Sequence, residues 1–234
     1  MPDKISFDFS EGEILLFDKP LGWTSFDVVN KVRYVTKAKK VGHAGTLDPL
    51  ATGLLIVCTG KFTKKIQEIQ YKEKEYVGGM ILGGSTPSYD LETEVNQTFD
   101  ISHITEKMIS ETAKKFTGNI QQAPPLYSAK NINGERAYRK ARRGETAVME
   151  LKEVSVPEFE ITKIALPEVM FRVVCSTGTY IRSLVHDLGF ALNSGAYLSS
   201  LSRTRIGGHK LQDAWQLADF VEHINKEWEE KKFL

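Results

Sequence analysis

The chain is 234 residues long, which fits one large domain or two small ones and allows a sizeable core. Its 41% hydrophobic and 26% charged residues are ordinary for a globular protein, and a net charge of +1 excludes any case for nucleic-acid binding from bulk charge alone. Two cysteines far apart in apolar runs, Cys58 and Cys175, exclude a disulfide framework and a cysteine metal motif, and with five scattered histidines no metal site is expected.

Met1 to Ser10 is polar and acidic and lacks the apolar core of a signal peptide, and no stretch approaches the length of a membrane span. Together with thiols read as buried and reduced, this predicts a cytoplasmic protein. Ile14-Leu15-Leu16-Phe17 predicts a short buried strand. Pro20 and Gly22 mark a turn, and Ser25 is the expected cap of a helix with Asp27 in its first turn and Val28, Val29, Val32 and Val35 at helical spacing. Between Lys31 and Lys40 lie Lys31, Arg33, Lys37, Lys39 and Lys40 without an acid. This cluster reads either as part of an RNA-binding face or as a solvated helix face.

The next segment, Val41 to Leu55, contains a single acid, Asp48, in a glycine-bracketed loop. Pro49 disfavours the helical region for Asp48, so the carboxylate is presented from an extended or turn backbone. The run Leu54 to Cys58 predicts a buried strand that holds the loop rigid. A fixed carboxylate beside a rigid element is how an enzyme presents a nucleophile or base; an Asp-Pro pair is also a common turn starter.

Phe62, Ile66 and Ile69 predict a short helix. Lys74 to Leu82 alternates as a strand through Tyr76, Met80 and Leu82, and Gly83 to Asp90 is turn-rich. A helix is expected over Glu106 to Phe116, with Thr105 as cap, Ile104 and Ile109 as a hydrophobic staple and Gly118 closing it. From Pro124 to Glu145 the composition turns basic and polar, with a short helix expected over Arg136 to Arg142; Lys130, Arg136, Arg139, Lys140, Arg142 and Arg143 face one acid, Glu135. Val169, Phe171, Val173 and Cys175 alternate as a strand. Ile181, Leu184, Val185, Leu188 and Leu192 mark a helix capped by Thr179. Arg182 then falls in the first turn, where a cation opposes the helix dipole by about 0.3–1 kcal/mol, so it pairs with an anion or is a surface arginine held by solvent or phosphate. A strand over Leu198 to Ile206, a turn at Gly207-Gly208 and a helix from Trp215 to about Lys226 complete the chain.

The gapless run G-H-A-G-T-L-D-P-L-A-T-G-L from Gly42 to Leu54 resembles the catalytic segment of the TruB family of tRNA pseudouridine synthases. The resemblance continues in K-P-L-G-W-T-S (Lys19 to Ser25), P-P-L-Y-S-A (Pro124 to Ala129), N-G-E-R-A-Y (Asn133 to Tyr138), A-R-R-G-E (Ala141 to Glu145) and G-T-Y-I-R (Gly178 to Arg182), and covers about Gly12 to Gly208. It implies a mixed α/β (α+β) pseudouridine synthase fold: a central, largely antiparallel sheet flanked by helices, with a basic thumb-like insertion at about 124–150. The implied organisation is an N-terminal extension (1–11), a catalytic domain (12–208), and a C-terminal helix with acidic tail (209–234) in place of the small PUA-type RNA-binding domain of many bacterial members.

The implied reaction is isomerisation of uridine to pseudouridine at position 55 in the T loop of tRNA, by an aspartate and base flipping, without metal or organic cofactor. Asp48 carries the position of the catalytic aspartate, and Arg182 that of the arginine paired with it. Tyr76 is placed against the target base, or is a core tyrosine of its strand. His43 is implied to stack within the T loop, or is a loop histidine bonded to backbone. Tyr180 and Leu201 are carried over as walls of the uracil pocket. Lys19 is expected to pack beneath the catalytic loop and, with Asp90, Lys130 and Arg142, to complete the substrate-binding set. One departure concerns the thumb: the family lysine two places after the S-A alanine is here Asn131, and Lys130 stands one place earlier. The implied partner is the tRNA T arm, met by a monomer with no membrane and no obligate protein partner. The rivals are a synthase for another RNA and a non-catalytic RNA-binding or tRNA-folding protein; intact Asp48, Arg182 and Tyr76 count against the latter.

Overall fold

The computed structural model describes residues 7–128, 130–132 and 134–230. The first residues of the expected extension (1–6), Ala129 and Asn133 of the thumb motifs, and the end of the acidic tail (231–234) lie outside them. The chain forms two compact units, one of residues 1–74 with 202–234 and one of residues 75–201.

The first unit opens with β1 (Ile14–Lys19), α1 (Ser25–Thr36), β2 (Val41–His43), β3 (Ala51–Thr59), a 3-10 turn (Gly60–Lys65) and α2 (Ile66–Tyr71). The cap of α1 is Thr24, not Ser25: its hydroxyl accepts from the Asp27 amide while the Asp27 carboxylate accepts from the Thr24 amide at 2.8 Å, a reciprocal capping box. The valine stripe of α1 packs with Leu15 and Phe17 of β1 and Leu55 and Val57 of β3. The opposite face of β3, Leu54, Ile56 and Cys58, packs with Ala44, Ile69 and Ile206. Burial on both faces is why β3 reads as a continuous apolar run rather than an alternating one. The Cys58 thiol is free, and burial pushes its pKa up to about 11.

The second unit carries β4 (Lys74–Leu82), the small pair β5 (Gly84–Ser85) and β6 (Gln97–Thr98), α3 (Glu106–Lys115) and β7 (Gly118–Gln122). Thr105 caps α3 as expected, accepting from the Met108 amide at 3.2 Å. Gly118, at φ +86°, opens β7 instead of closing the helix, which ends at Lys115 with Phe116 as its C-cap. The thumb region holds β8 (Asn131–Ile132), β9 (Glu135–Arg136) and α4 (Ala137–Arg142). Then follow β10 (Lys152–Val156), β11 (Glu158–Ala165), β12 (Glu168–Cys175), α5 (Ile181–Ala191) and β13 (Ala196–Ile206). Sheet neighbours in this unit run β11, β12, β4, β13, and β7 pairs antiparallel with β10. The expected cap of α5, Thr179, donates its hydroxyl to the Ser176 carbonyl instead, and Tyr180 occupies the cap position with no side-chain cap bond.

The end of β13 returns the chain to the first unit, followed by β14 (His209–Lys210), β15 (Trp215–Gln216) and α6 (Leu217–Glu230). Trp215 and Gln216, expected as the start of the helix, pair in parallel with Phe17 and Asp18 of β1. Strand order here is β13, β3, β1, β15, with β1 and β2 antiparallel to β3. The sheet is therefore mixed but largely antiparallel. No helix among the described residues is long and apolar enough to cross a membrane.

Candidate active site

Every carbonyl from Gly45 to Pro49 accepts a hydrogen bond from a named donor. Arg203 Nη2 donates to Gly45 O at 3.0 Å and Nη1 to Thr46 O at 3.5 Å. Ser25, displaced from its expected capping role, is buried with its hydroxyl donating to Leu47 O at 3.1 Å and accepting from Leu47 N at 2.8 Å. The Asp48 carbonyl accepts from Ala51 N at 3.0 Å, and the Pro49 carbonyl from Gly22 N at 2.8 Å. Lys19 Nζ reaches Pro49 O at 3.4 Å, Pro20 O at 2.9 Å and Trp23 O at 2.6 Å. A loop whose backbone is satisfied on both flanks of Asp48 presents that half-buried carboxylate from a fixed frame.

Lys19 is fully buried. Its ammonium braces backbone carbonyls and is not offered to a polyanion. Burial lowers its pKa to about 8, against the field of Asp48, which raises it. The half-buried His43 sits three residues before Thr46 on β2, and its pKa is lowered by burial and then by the Arg203 guanidinium.

Arg203 is the residue that sequence reasoning missed. It is 1% exposed, and its Nε also donates to Leu54 O at 2.8 Å, so one guanidinium ties β13 both to β3 and to the Asp48 loop. Its signal was present: by strand parity Arg203 shares the face of Leu201, and a charged side chain on a face with an apolar neighbour needs carbonyl or carboxylate partners. Gly53 makes the close approach possible. Its φ is +95°, and a Cβ there would lie 2.4 Å from Arg203 O.

The remaining expected residues lie in the second unit. Arg182 is 4% exposed, not a surface arginine, in the first turn of α5. Its Nη1 donates to Ser88 O at 3.1 Å and its Nε lies 3.7 Å from the Asp90 carboxylate. Asp90, expected on the substrate side, is thus a buried acceptor beside Arg182, with its own Oδ1 fixed by the Glu92 amide at 2.9 Å. Tyr76 is buried on β4. Two residues on, a Cβ at Gly78 would lie 2.6 Å from Ser200 O and 3.3 Å from Leu201 Cδ1, so the bare backbone of β4 lets Leu201 of β13 close against it. Tyr180 is held by a second missed residue: the buried Gln122 side-chain amide donates to Tyr180 O at 3.0 Å and accepts from Tyr180 N at 2.7 Å.

In the thumb, the Lys130 carbonyl accepts from Ala137 N at 2.8 Å and its half-buried side chain lines a hollow with Lys140. Arg142 is paired with Glu92 at 2.9 Å and lies over the Tyr138 ring at 5.6 Å. An exposed pair of this kind contributes little stability, about 0–1 kcal/mol.

The model of the TruB family pseudouridylate synthase N-terminal domain matches residues 33–181. A protein named tRNA pseudouridine synthase B from Flavobacterium johnsoniae is 54% identical over 224 residues, 93% of this chain and 98% of that relative. One of the same name from Parabacteroides distasonis is 50% identical over 234 residues, 96% of this chain and all of the relative. Among solved structures, a chain of a Cbf5-Nop10-Gar1 complex superposes with TM-score 0.72 at 34% identity over 92% of this chain. A chain of an H/ACA RNP bound to a substrate RNA containing 2'-deoxyuridine superposes with TM-score 0.71 at 31% identity over 96% of this chain. This chain spans just over half of those two solved chains, 54% and 56%. With Asp48 on a fully bonded loop, the matching family model and these relatives show that the chain belongs to the TruB family of pseudouridylate synthases.

Proposed function

We propose that this protein converts uridine 55 in the T loop of tRNA to pseudouridine, acting as a monomer in the cytoplasm without a protein partner, metal or organic cofactor. The observation that carries the reading is the fixed presentation of Asp48, with every carbonyl from Gly45 to Pro49 bonded by Arg203, Ser25, Lys19 or backbone amides.

The chemistry needs one well-placed carboxylate. Breaking the bond from uracil N1 to the ribose C1' leaves cationic character on the sugar, which Asp48 stabilises or captures as in retaining glycosidases, or relieves by taking a sugar proton. The detached base turns, C5 bonds to C1', and the C5 proton leaves to solvent through a base in the pocket. Arg182, held by Asp90 and Ser88, supplies the guanidinium that the family resemblance pairs with the catalytic aspartate. Tyr76, Tyr180 and Leu201 enclose the uracil, and Tyr76 stacks on it. Flipping the nucleotide out of the folded arm costs a few kcal/mol, and His43 braces the space it vacates. Lys130 and Arg142 of the thumb meet phosphate.

Release of tritium from a tRNA transcript labelled at uracil C5 tests the reading, with the product mapped by carbodiimide primer extension. Wild-type protein releases tritium at one T-loop position and Asp48→Asn binds the RNA but releases none. Label released by the variant at the wild-type rate removes Asp48 from the mechanism; product at another position or only in ribosomal RNA overturns the substrate.

A further inference from the structure

Five lysines line one groove of the first unit that includes no residue of the Asp48 loop. The groove has a volume of about 740 Å³ and takes Lys37, Lys39, Lys40, Lys61 and Lys64 from two segments distant in sequence. Phe7, Phe9 and Trp228 line it as well. Lys37 is the left-handed C-cap of α1, so it and the lysines after it are not the solvated face of a helix. The Lys40 end of this run is held beside the 3-10 turn by Gly60 N donating to Lys40 O at 2.9 Å, and the turn is tied to the segment before β1 by Lys61 N donating to Glu11 O at 2.9 Å. The charges of this cluster are only partly answered. Lys61 pairs with Glu11 at 2.7 Å and Lys37 lies over the Trp228 ring at 4.7 Å. Of the two carboxylates lining the groove, Asp8 accepts from the Ser10 hydroxyl at 2.6 Å and lies in the field of Lys61, and Glu227 lies 3.4 Å from His223. Lys39, Lys40 and Lys64 are exposed and make no ion pair among the described residues.

We propose that this groove is a second RNA-binding surface, which takes backbone phosphates of the substrate RNA remote from the nucleotide at Asp48. The inference rests on the RNA substrate proposed above. Crowded ammonium groups without counter-charges repel one another, and a polyanion with regularly spaced phosphates relieves that repulsion while releasing its own counterions. Lysines interleaved with aromatic rings are the composition of such surfaces. The distance sets the role. β3 runs from Ala51, beside the Asp48 loop, to Thr59, beside Gly60, which is about 26 Å at ~3.3 Å per residue. A single nucleotide does not span that length, so the groove adds affinity and orientation and leaves the chemical step alone.

The test is a triple variant, Lys39→Gln, Lys40→Gln and Lys64→Gln, beside the corresponding triple arginine variant. Tritium release from a tRNA transcript is measured for each across a series of salt concentrations. The glutamine variant should raise KM about tenfold at moderate salt with kcat within twofold of wild type. It should also flatten the dependence of log KM on log salt by about two to three, near one per lost phosphate contact, while the arginine variant keeps wild-type KM and slope. Unchanged KM and salt slope in the glutamine variant overturn the proposal, as does a fall in kcat with the slope preserved, the mark of a purely structural role. Absence of release by the wild-type protein on any RNA would instead strike the function proposed above.

Discussion

The guanidinium of Arg203 and the carbonyl of Gly45 are joined at 3.0 Å, and through that bond strand β13 holds the loop that carries Asp48 three residues later. The same side chain reaches Leu54 and Thr46, so it closes a bracket around the start of β3 as well as the loop. Arg203→Lys keeps the charge but replaces a planar fork, whose three nitrogens each reach a different carbonyl, by one nitrogen at a single position that does not reach all three. Each buried carbonyl left without a donor costs about 1–3 kcal/mol. Arg203→Lys should lower stability by about 2 kcal/mol in urea unfolding and lower kcat by roughly tenfold to a hundredfold, since small displacements of a reacting group are costly. Wild-type kcat in a folded Arg203→Lys protein would show that the loop holds its shape without this bracket.

Gly53 offers an independent probe of the same relationship. A Cβ there would sit 2.4 Å from Arg203 O and 2.6 Å from Arg203 N, contacts with backbone that no rotamer relieves. Its φ of +95° is also strained for any side chain. Gly53→Ala should therefore destabilise by about 3 kcal/mol or more by forcing β3 and β13 apart. At a temperature where it remains folded, kcat should fall more than KM rises. Thermal unfolding within a degree or two of wild type would contradict the close approach.

The strands and helices were legible because each buries a defined face: the valine stripe of α1, the continuous run of β3 and the alternation of β12 all appear where the residues place them. The errors among the elements read from sequence fall at their ends, while the strands β7, β10 and β11 were not expected at all. Thr24 and Ser25 are both competent caps by chemistry, and Ser25 is diverted by Leu47, a contact formed only in the folded chain. Trp215 carries helical spacing into α6 yet is captured by β1, because an edge strand with open backbone groups outcompetes one more helical turn. Asp48 was legible from its motif, whereas Gln122 and Ser88 were not, since Gln122 bonds the backbone of Tyr180 and Ser88 offers only its own carbonyl to Arg182, each far away in sequence; strand parity signalled the burial of Arg203 but not which carbonyls it serves. Such bonds require the right place rather than a distinctive residue type.

Arg182 depends on Asp90 in a buried pair at 3.7 Å, completed by the Ser88 carbonyl. Removing one partner of such a pair strands the other charge, at a cost of about 3–5 kcal/mol. Asp90→Ala should thus be clearly less stable than Asp90→Asn, which keeps an acceptor for the Glu92 amide. Both should lose kcat by at least tenfold, because an arginine that keeps the Ser88 carbonyl but loses Asp90 is less sharply oriented, while the Kd for tRNA measured by filter binding changes less than threefold. Loss of binding in place of turnover would assign Asp90 to direct RNA contact.

Lys19 links stability and activity to pH with opposite signs. Its folded-state pKa is depressed to about 8 from an ordinary 10.5 by burial. Between those values the unfolded chain binds a proton that the folded chain has released, so folding stability rises with pH across that window. From pH 7 to 9.5 the gain is about 2 kcal/mol, nearly all of it above pH 8. Lys19→Met removes the titration, so the stability difference between wild type and variant in urea should change by that amount between the two pH values; a constant difference would mean that the ammonium is not under strain. Activity should move the other way. The neutral amine withdraws a positive charge from the field of Asp48 and weakens its hold on the Pro49 carbonyl at 3.4 Å. Wild-type kcat should decline above pH 8 even as the protein becomes more stable, and Lys19→Met, with a lower kcat at pH 7, should lack that basic limb.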